Sequence, residues 1–369
     1  MLREDAVPSF AVVPGSLVYE LIGGQEKRVI EVVENAYRIH GAGDTVNPAS
    51  YFLSLRDRPG CRIIALPASV GGDVITDGVK WISSFPANVS AGLPRASAVL
   101  VLNDQRTGYP LCCMEGSIVS AARTAAFATI GAGWLSRGRP RPARVGFFGA
   151  GLIARYIHTY LTAAGWTFDE TGVYDIRADS ALGFRSYLRR SSAGGRIAVH
   201  RRAENLFRSS DLVVFATVAP KPHITEPAWL EHNPVVLHVS LRDLAPEVIL
   251  GAVNIVDDVE HCLAADTSLQ LAERAAGNRE FVTGTLHDVM TGAVAVPASR
   301  PVVFSPFGLG VLDVALGRHV YDQARSNGRL ATVDGFFHEL RRHEPPKTMP
   351  PKTMPPKTVP PKTMEPSCQ

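Results

Sequence analysis

Between Glu26 and His40 apolar residues recur at Val29, Val33 and Ala36, and at Ile30, Val33 and Tyr37, with charged residues on the opposite face. That spacing predicts a helix, ended by the loop Gly41 to Pro48. The pattern then becomes strand-like at Arg62 to Leu66, Asp73 to Phe85 and Ala98 to Leu102. The last of these turns through Asn103 to Gly108 into Tyr109 to Met114, which reads as a hairpin. The first 115 residues are therefore expected to form one helix followed by a mostly antiparallel sheet. An Ala-rich run predicts a long helix from about Ser117 to Leu135, closed by Gly138 and Pro140, and Pro140 with Pro142 marks a junction.

Beyond that junction short apolar runs alternate with helix-like ones. The strand-like runs are Val145 to Phe148, Gly172 to Asp175, Ile197 to His200, Leu212 to Ala216, Val235 to Val239, Ile255 to Asp257 and Val302 to Phe304. Alternation of this kind predicts a parallel sheet covered by helices on both faces, with ligands at the carboxyl ends of the strands. Two late helices, Val311 to Ala324 and Val333 to Leu340, follow the last strand, so the chain is expected to return and pack on its first part. The expected organisation is an α/β fold. A dinucleotide-binding unit spans 139–310, and a discontinuous α+β unit is built from 1–138 and 311–342. Residues 343–369 form a tail in which Pro345 to Met364 is four copies of a Pro-Pro-Lys-Thr unit, each followed by Met or Val. The repeat has no apolar periodicity and reads as extended and disordered.

Composition adds limits. The chain has 369 residues, 46% of them hydrophobic and 20% charged, enough for two domains with real cores. The net charge of +3 comes from the last 25 residues; without them 34 basic and 34 acidic residues remain, which argues against nucleic acid or a membrane surface as partner. The N-terminus lacks the pattern of a signal peptide, and the apolar stretch Gly116 to Leu135 contains Arg123, so a packed helix is expected rather than a membrane span. Five cysteines with no CxxC spacing read as reduced thiols in a cytoplasmic protein, with no metal site expected. The run Asp257 to Cys262 looks like a metal cluster, but adjacent residues on a strand point to opposite faces.

The stretch Val145-Gly146-Phe147-Phe148-Gly149-Ala150-Gly151-Leu152-Ile153 carries the clearest chemistry. A strand, a tight turn and a helix N-terminus in that order offer backbone N–H groups to a pyrophosphate. Asp175 ends the next strand-like run, where an acid accepts hydrogen bonds from an adenosine ribose. Lys80, between Val79 and Trp81, is either an outward lysine on the pleat or a buried one that needs an anion. Arg123 lies in an apolar helix, where a guanidinium forks onto a carboxylate or phosphate, within the protein or on a ligand. Thr217 and Ser240 to Asp243 follow two strands at the ligand end of the sheet. Asp243 there serves as a general base or stabilises a cationic intermediate, or else is a helix N-cap.

Gly78-Val79-Lys80 with Pro86-Ala87-Asn88, then Thr107-Gly108-Tyr109-Pro110, Ala121-Ala122-Arg123-Thr124-Ala125-Ala126 and the Gly149 turn occur in this order. In these motifs the sequence resembles the ornithine cyclodeaminase/mu-crystallin family from about Val29 to Leu340. The resemblance implies a homodimer whose discontinuous unit serves substrate binding and dimerisation around a Rossmann domain. Ser50 to Leu53, His238 to Glu247, Val256 to Leu263, Gly277 to Thr285 and Ser305 to Gly310 are similar to the branch of the family that makes 2,3-diaminopropionate. That branch implies oxidation of N-(2-amino-2-carboxyethyl)-L-glutamate with NAD, then hydrolysis to 2-oxoglutarate and L-2,3-diaminopropionate, for siderophores or peptide antibiotics. Ornithine cyclisation, ketimine reduction, amino-acid dehydrogenation and nucleotide binding without turnover are the other activities of such a fold.

Residue by residue, the resemblance implies substrate-carboxylate ligands at Lys80 and Arg123, and cofactor contacts at Arg95, Gly149, Gly151, Leu152 and Ile153. It implies further cofactor contacts at Asp175, Thr217, Ser240, Leu241 and Phe307. Asp243 matches the cyclodeaminases' catalytic aspartate, although Leu-Arg-Asp-Leu-Ala-Pro replaces a Gly-Gly-Asp-Cys-Pro-Gly type of loop, which argues against ornithine cyclisation. Asp243 is accordingly expected to accept a proton or activate water, with Lys80 and Arg123 positioning carboxylates. A substrate with three carboxylates needs further cations, for which Arg242 and Arg56 are candidates. Arg177 lies near the ribose end of the cofactor, but Asp175 there repels a 2′-phosphate, so the expected cofactor is NAD rather than NADP.

Overall fold

Alternating apolar positions in the first third of the chain fold into seven of the eight strands of one sheet. The computed structural model describes residues 8–58, 60–191 and 195–338. The chain begins with β1 (Ala11–Val13), α1 (Gly15–Ile22) and α2 (Glu26–Gly41). It continues through β2 (Thr45–Val46), β3 (Tyr51–Ser54), β4 (Arg62–Val70), β5 (Thr76–Ser84), β6 (Ala96–Asn103) and β7 (Pro110–Glu115). In β4 to β7 each strand pairs antiparallel with the next, and β5 sits between β4 and β6 with Lys80 opposite Leu66 on one side and Leu100 on the other. β1 joins β7 in parallel.

Helix α3 (Ser117–Leu135) leads into the second sheet. It packs on β6 on one side, and on β12 (Val235–His238) and α4 (Leu152–Ala163) on the other. A helix held between two layers is apolar nearly all round, which is why α3 has the length and composition of a membrane span yet is mostly buried inside the protein.

Then come β8 (Arg144–Phe148), α4, β9 (Glu170–Tyr174), α5 (Ala178–Ser191), β10 (Arg196–Val199), α6 (Ala203–Arg208), β11 (Leu212–Phe215), β12 and α7 (Pro246–Leu250). The series ends with β13 (Val253–Val256), α8 (Val259–Cys262), α9 (Ser268–Ala276), β14 (Val282–Thr285), α10 (Leu286–Thr291) and β15 (Val302–Ser305). All eight strands are parallel, in the order β10-β9-β8-β11-β12-β15-β13-β14. The order reverses at β8, so the loops after β8 and β11 border a crevice where such sheets bind ligands.

After β15 the chain returns. Helix α11 (Gly310–Ser326) packs on β4, β5, β6, α2 and α3, and β16 (Ala331–Thr332) closes the first sheet against β1. Buried Leu312, Val314, Leu316 and Val320 supply its core face.

Several expectations need correction. The N-terminal part holds two helices rather than one, because Leu17, Val18, Leu21 and Ile22 form a second buried stripe. Strands β1, β2, β3, β14 and β16 are too short or too weakly patterned to show in the sequence. The helix expected over Val333 to Leu340 is absent from its described part, residues 333–338. Gly335 there takes φ +64, and Phe336 stacks on Phe10 while Phe337 packs edge-on against Tyr109, so these apolar residues form an aromatic lock on β1. The Pro-Pro-Lys-Thr tail lies outside the described residues.

The junction of α3 with the second sheet is tight. A Cβ on Gly131 would lie 2.6 Å from the ring of Phe304, which is itself packed edge-on against Phe127. Gly131→Ala is therefore expected to destabilise the protein by about 1–2 kcal/mol despite alanine's better helix propensity, seen as a lower denaturant midpoint at unchanged slope. An unchanged midpoint would show that the ring yields freely.

Candidate functional site

Gly149 ends β8 with φ +87, and a Cβ there would lie 2.5 Å from the Ala216 carbonyl oxygen, so only glycine lets the first turn approach the end of β11. Gly151 precedes α4 in extended conformation, and a Cβ built on it meets nothing within 4 Å. No side chain caps α4, so its first N–H groups and the dipole's positive end face open space where a pyrophosphate can bind. Leu152 is half exposed at the first turn, with Ile153 partly buried beneath. Asp175 braces this turn: Oδ2 accepts from the Ala150 N–H (2.9 Å) and Oδ1 from the Arg177 N–H (2.8 Å), leaving further lone pairs for hydroxyl donors. Ile176 is 91% exposed and Val218 65%, two apolar side chains presented at the ends of β9 and β11.

The second half of the site is a buried ion cluster. Lys80 Nζ lies 2.6 Å from Asp313 Oδ2, and Arg123 Nε lies 3.1 Å from Asp313 Oδ1. Lys80 also donates to Ser120 Oγ at 3.3 Å. β5, α3 and α11 each contribute one charge. Burial pushes the Lys80 ammonium down to about 8, helped by the Arg123 charge and opposed by Asp313. Two cations share one carboxylate, so the cluster holds surplus positive charge and unspent guanidinium donors. Those donors lie against Gly308: a Cβ there would sit 2.8 Å from Arg123 Nη1, and the residue has φ +101. The loop after β15 is fixed by Asp257, whose carboxylate accepts the N–H groups of Phe307 (3.0 Å) and Gly308 (2.7 Å).

Asp243 is completely buried and encircled by donors. Oδ1 accepts from the Thr217 hydroxyl and faces His223 Nε2 at 3.0 Å. Oδ2 accepts from the Ser240 hydroxyl and faces His238 Nε2 at 3.4 Å. Burial alone would raise this carboxyl, but bonds with His223, His238 and Ser240 outweigh it and hold the group far below the usual carboxylate range. The helix cap expected at Asp243 is not formed, since Ala245 precedes α7 and no side chain caps it; the carboxylate instead accepts from Thr217 and Ser240 and faces His223. The exposed member of this network is His223, whose side chain is 37% exposed. Ser240, Leu241, His238 and Phe307 line a small cavity beside it.

None of the remaining candidates joins the Lys80–Asp313–Arg123 cluster. Arg56 is exposed in the turn after β3. Arg242 binds the carbonyls of Ala265 and Asp266 (2.7 Å from Nε to the latter) rather than joining Lys80 and Arg123. Arg95 donates to Ser84 Oγ at 2.6 Å, and Arg177 is exposed beyond Asp175.

Sequence reading missed Asp313 and His223, and weighed Asp257 only as part of an apparent metal cluster. Asp313 had a signal: it is a lone acid in the apolar run Val311 to Leu316, as Arg123 is a lone base in α3, and buried charges of opposite sign seek each other.

The sequence profile of the ornithine cyclodeaminase/mu-crystallin family matches residues 22–328. The N-((2S)-2-amino-2-carboxyethyl)-L-glutamate dehydrogenase of Staphylococcus aureus is 27% identical over 324 residues, 85% of this chain and 96% of that protein. The solved structure of CmnK superposes with a TM-score of 0.80 at 33% identity, covering 90% of this chain and all of that one. An archaeal alanine dehydrogenase dimer with bound NAD gives a TM-score of 0.78 at 26% identity, over 89% of this chain and all of that one.

Removing Asp313 strands two buried cations. Asp313→Asn is expected to cost about 3 kcal/mol, read as a fall in the thermal midpoint. Stability equal to that of the unsubstituted protein would show that the cluster does not hold α11 against β5 and α3.

Proposed function

The chain belongs to the ornithine cyclodeaminase/mu-crystallin family, and we propose that it is an NAD-dependent dehydrogenase of N-(2-amino-2-carboxyethyl)-L-glutamate. The observation that carries this reading is the cationic surplus of Lys80 and Arg123 on one buried carboxylate, in the same fold as an open dinucleotide turn. Likeness to the Staphylococcus aureus dehydrogenase over most of both chains supports the choice of substrate.

The residues fit NAD. Gly149 and Gly151 with the uncapped start of α4 would hold the pyrophosphate, and Asp175 the adenosine ribose. The exposed Ile176 and Val218 offer apolar faces to an adenine. An acid at the ribose favours NAD over its 2′-phosphorylated form. When bound, NAD supplies the hydride acceptor.

Lys80 and Arg123 hold the carboxylate next to the glutamate Cα and so fix that carbon's orientation. His223, braced by Asp243, accepts the proton of the secondary amine as the C–N bond is oxidised, and then assists the attack of water on the imine. Asp243 is thus a positioning residue with a fixed negative charge. Overall, the adduct, NAD and water give 2-oxoglutarate, L-2,3-diaminopropionate, NADH and a proton.

The reading includes a homodimer. Val99, Trp81 and Tyr51 lie in one cross-strand row with Ala65 on the sheet face opposite Lys80, and all three large side chains are exposed (41%, 44% and 70%). A second copy would cover them. The substrate and dimerisation unit would comprise residues 1–138 and 311–342, with the cofactor unit at 139–310 in a cytoplasmic enzyme.

Incubated with NAD and the glutamate adduct, the protein is expected to release NADH and 2-oxoglutarate in equal amounts. Because Lys80 binds a carboxylate only when protonated, kcat/KM should fall as pH rises through about 8, and Lys80→Arg should move that fall to higher pH. Silence with the adduct but turnover of alanine or a cyclic imine would overturn the assignment.

A further inference from the structure

Three arginines that no acid neutralises gather at the far end of the strand that carries Lys80. On β4 and β5, Arg62 lies directly opposite Ser84, as Leu66 lies opposite Lys80, so Arg62, Ser84 and Lys80 share one sheet face. Arg95 reaches the same place from the neighbouring strand, with Nη1 2.6 Å from Ser84 Oγ and its carbonyl accepting the Phe85 N–H. Arg62 Nε is buried without a hydrogen-bond partner. From the second sheet comes Arg242, on the loop after β12. Its guanidinium is held by the carbonyls of Ala265 and Asp266, two non-glycine residues in left-handed conformation (φ 55 and 53). That clamp uses only part of the guanidinium and leaves further N–H donors.

Burial pushes the Arg62 guanidinium down, and the charges of Arg242 and Arg95 push it further. Among the described residues no carboxylate pairs with any of the three. Guanidinium groups crowded in this way, with donors unspent, are complementary to an anion supplied from outside.

We infer that Arg62, Arg95 and Arg242 form a second anion subsite, which receives the substrate carboxylates remote from the one held by Lys80 and Arg123. The inference rests on the reaction proposed above for its substrate class, a polycarboxylate amine. Lys80 and Ser84 are four residues apart on one strand, about 13 Å. A glutamate-derived adduct spans that distance once the length of the lysine and arginine side chains is counted. The subsite draws on both sheets, so a substrate that fills it is gripped from both walls of the cleft. It would select dicarboxylate and tricarboxylate substrates over alanine-like ones.

The test measures binding of 2-oxoglutarate and of pyruvate to the full-length protein saturated with NADH, by protein fluorescence. 2-Oxoglutarate is expected to bind more tightly than pyruvate. Arg62→Met and, separately, the partly exposed Arg242→Gln should each weaken 2-oxoglutarate by about tenfold while leaving pyruvate unchanged. No preference for 2-oxoglutarate in the unsubstituted protein, no change in either variant, or equal losses for both acids would overturn the subsite. Failure of the glutamate adduct to turn over, with this binding pattern intact, would instead overturn the assigned reaction.

Discussion

Burying a cation without an anion is costly, and this molecule buries Lys80 and Arg123 on one carboxylate. Asp313 is the shared partner of Lys80 and Arg123, and the three charges arrive on β5, α3 and α11 from widely separated parts of the sequence. The architecture follows from that need. Helix α11 must come back from the end of the parallel sheet to lie on the antiparallel one, and its return closes the first sheet through β16. The loop that makes the return, Ser305 to Gly310, is held from both sides, with Asp257 accepting its backbone N–H groups and Arg123 packed on Gly308. Because one carboxylate does not satisfy two cations, the cluster stabilises the fold and still attracts an anion.

The dinucleotide half of the cleft has a different logic. There the backbone is what the turn offers to a ligand, and the sequence's part is to leave room. Gly149 removes a Cβ that would strike the Ala216 carbonyl, a Cβ on Gly151 would enter open space, and α4 is left without a side-chain cap. Asp243 belongs to neither half. Its burial would be unfavourable alone, and the surrounding hydroxyls and histidines turn it into a fixed charge that braces His223.

What could be read in the sequence was what is local. The stripe Val29, Val33, Ala36 and Tyr37 became the buried face of α2, and the Gly149 turn with Asp175 fell where a strand-turn-helix unit puts them. The long apolar helix around Arg123 was legible as a packed element because a lone arginine argued against lipid. What could not be read depends on contacts across the fold. Asp313 meets Lys80 and Arg123 from 233 and 190 residues away. Arg62 gains its meaning only from cross-strand register, and the surroundings of Asp243 are set by His223 and Thr217, 20 and 26 residues upstream. The helix expected at Val333 failed for a similar reason, since aromatic packing on Phe10 decided the conformation. Strand β14, Val282-Thr283-Gly284-Thr285, carries too little apolar pattern to be seen alone.

The central claim is that the Lys80–Asp313–Arg123 cluster presents a glutamate Cα–N bond to NAD for oxidation. Its most direct measurement uses the adduct deuterated at that Cα, with analysis of the NADH formed. The account predicts deuterium at C4 of the nicotinamide in an amount equal to the 2-oxoglutarate released. Release of 2-oxoglutarate with no deuterium in the cofactor would contradict it.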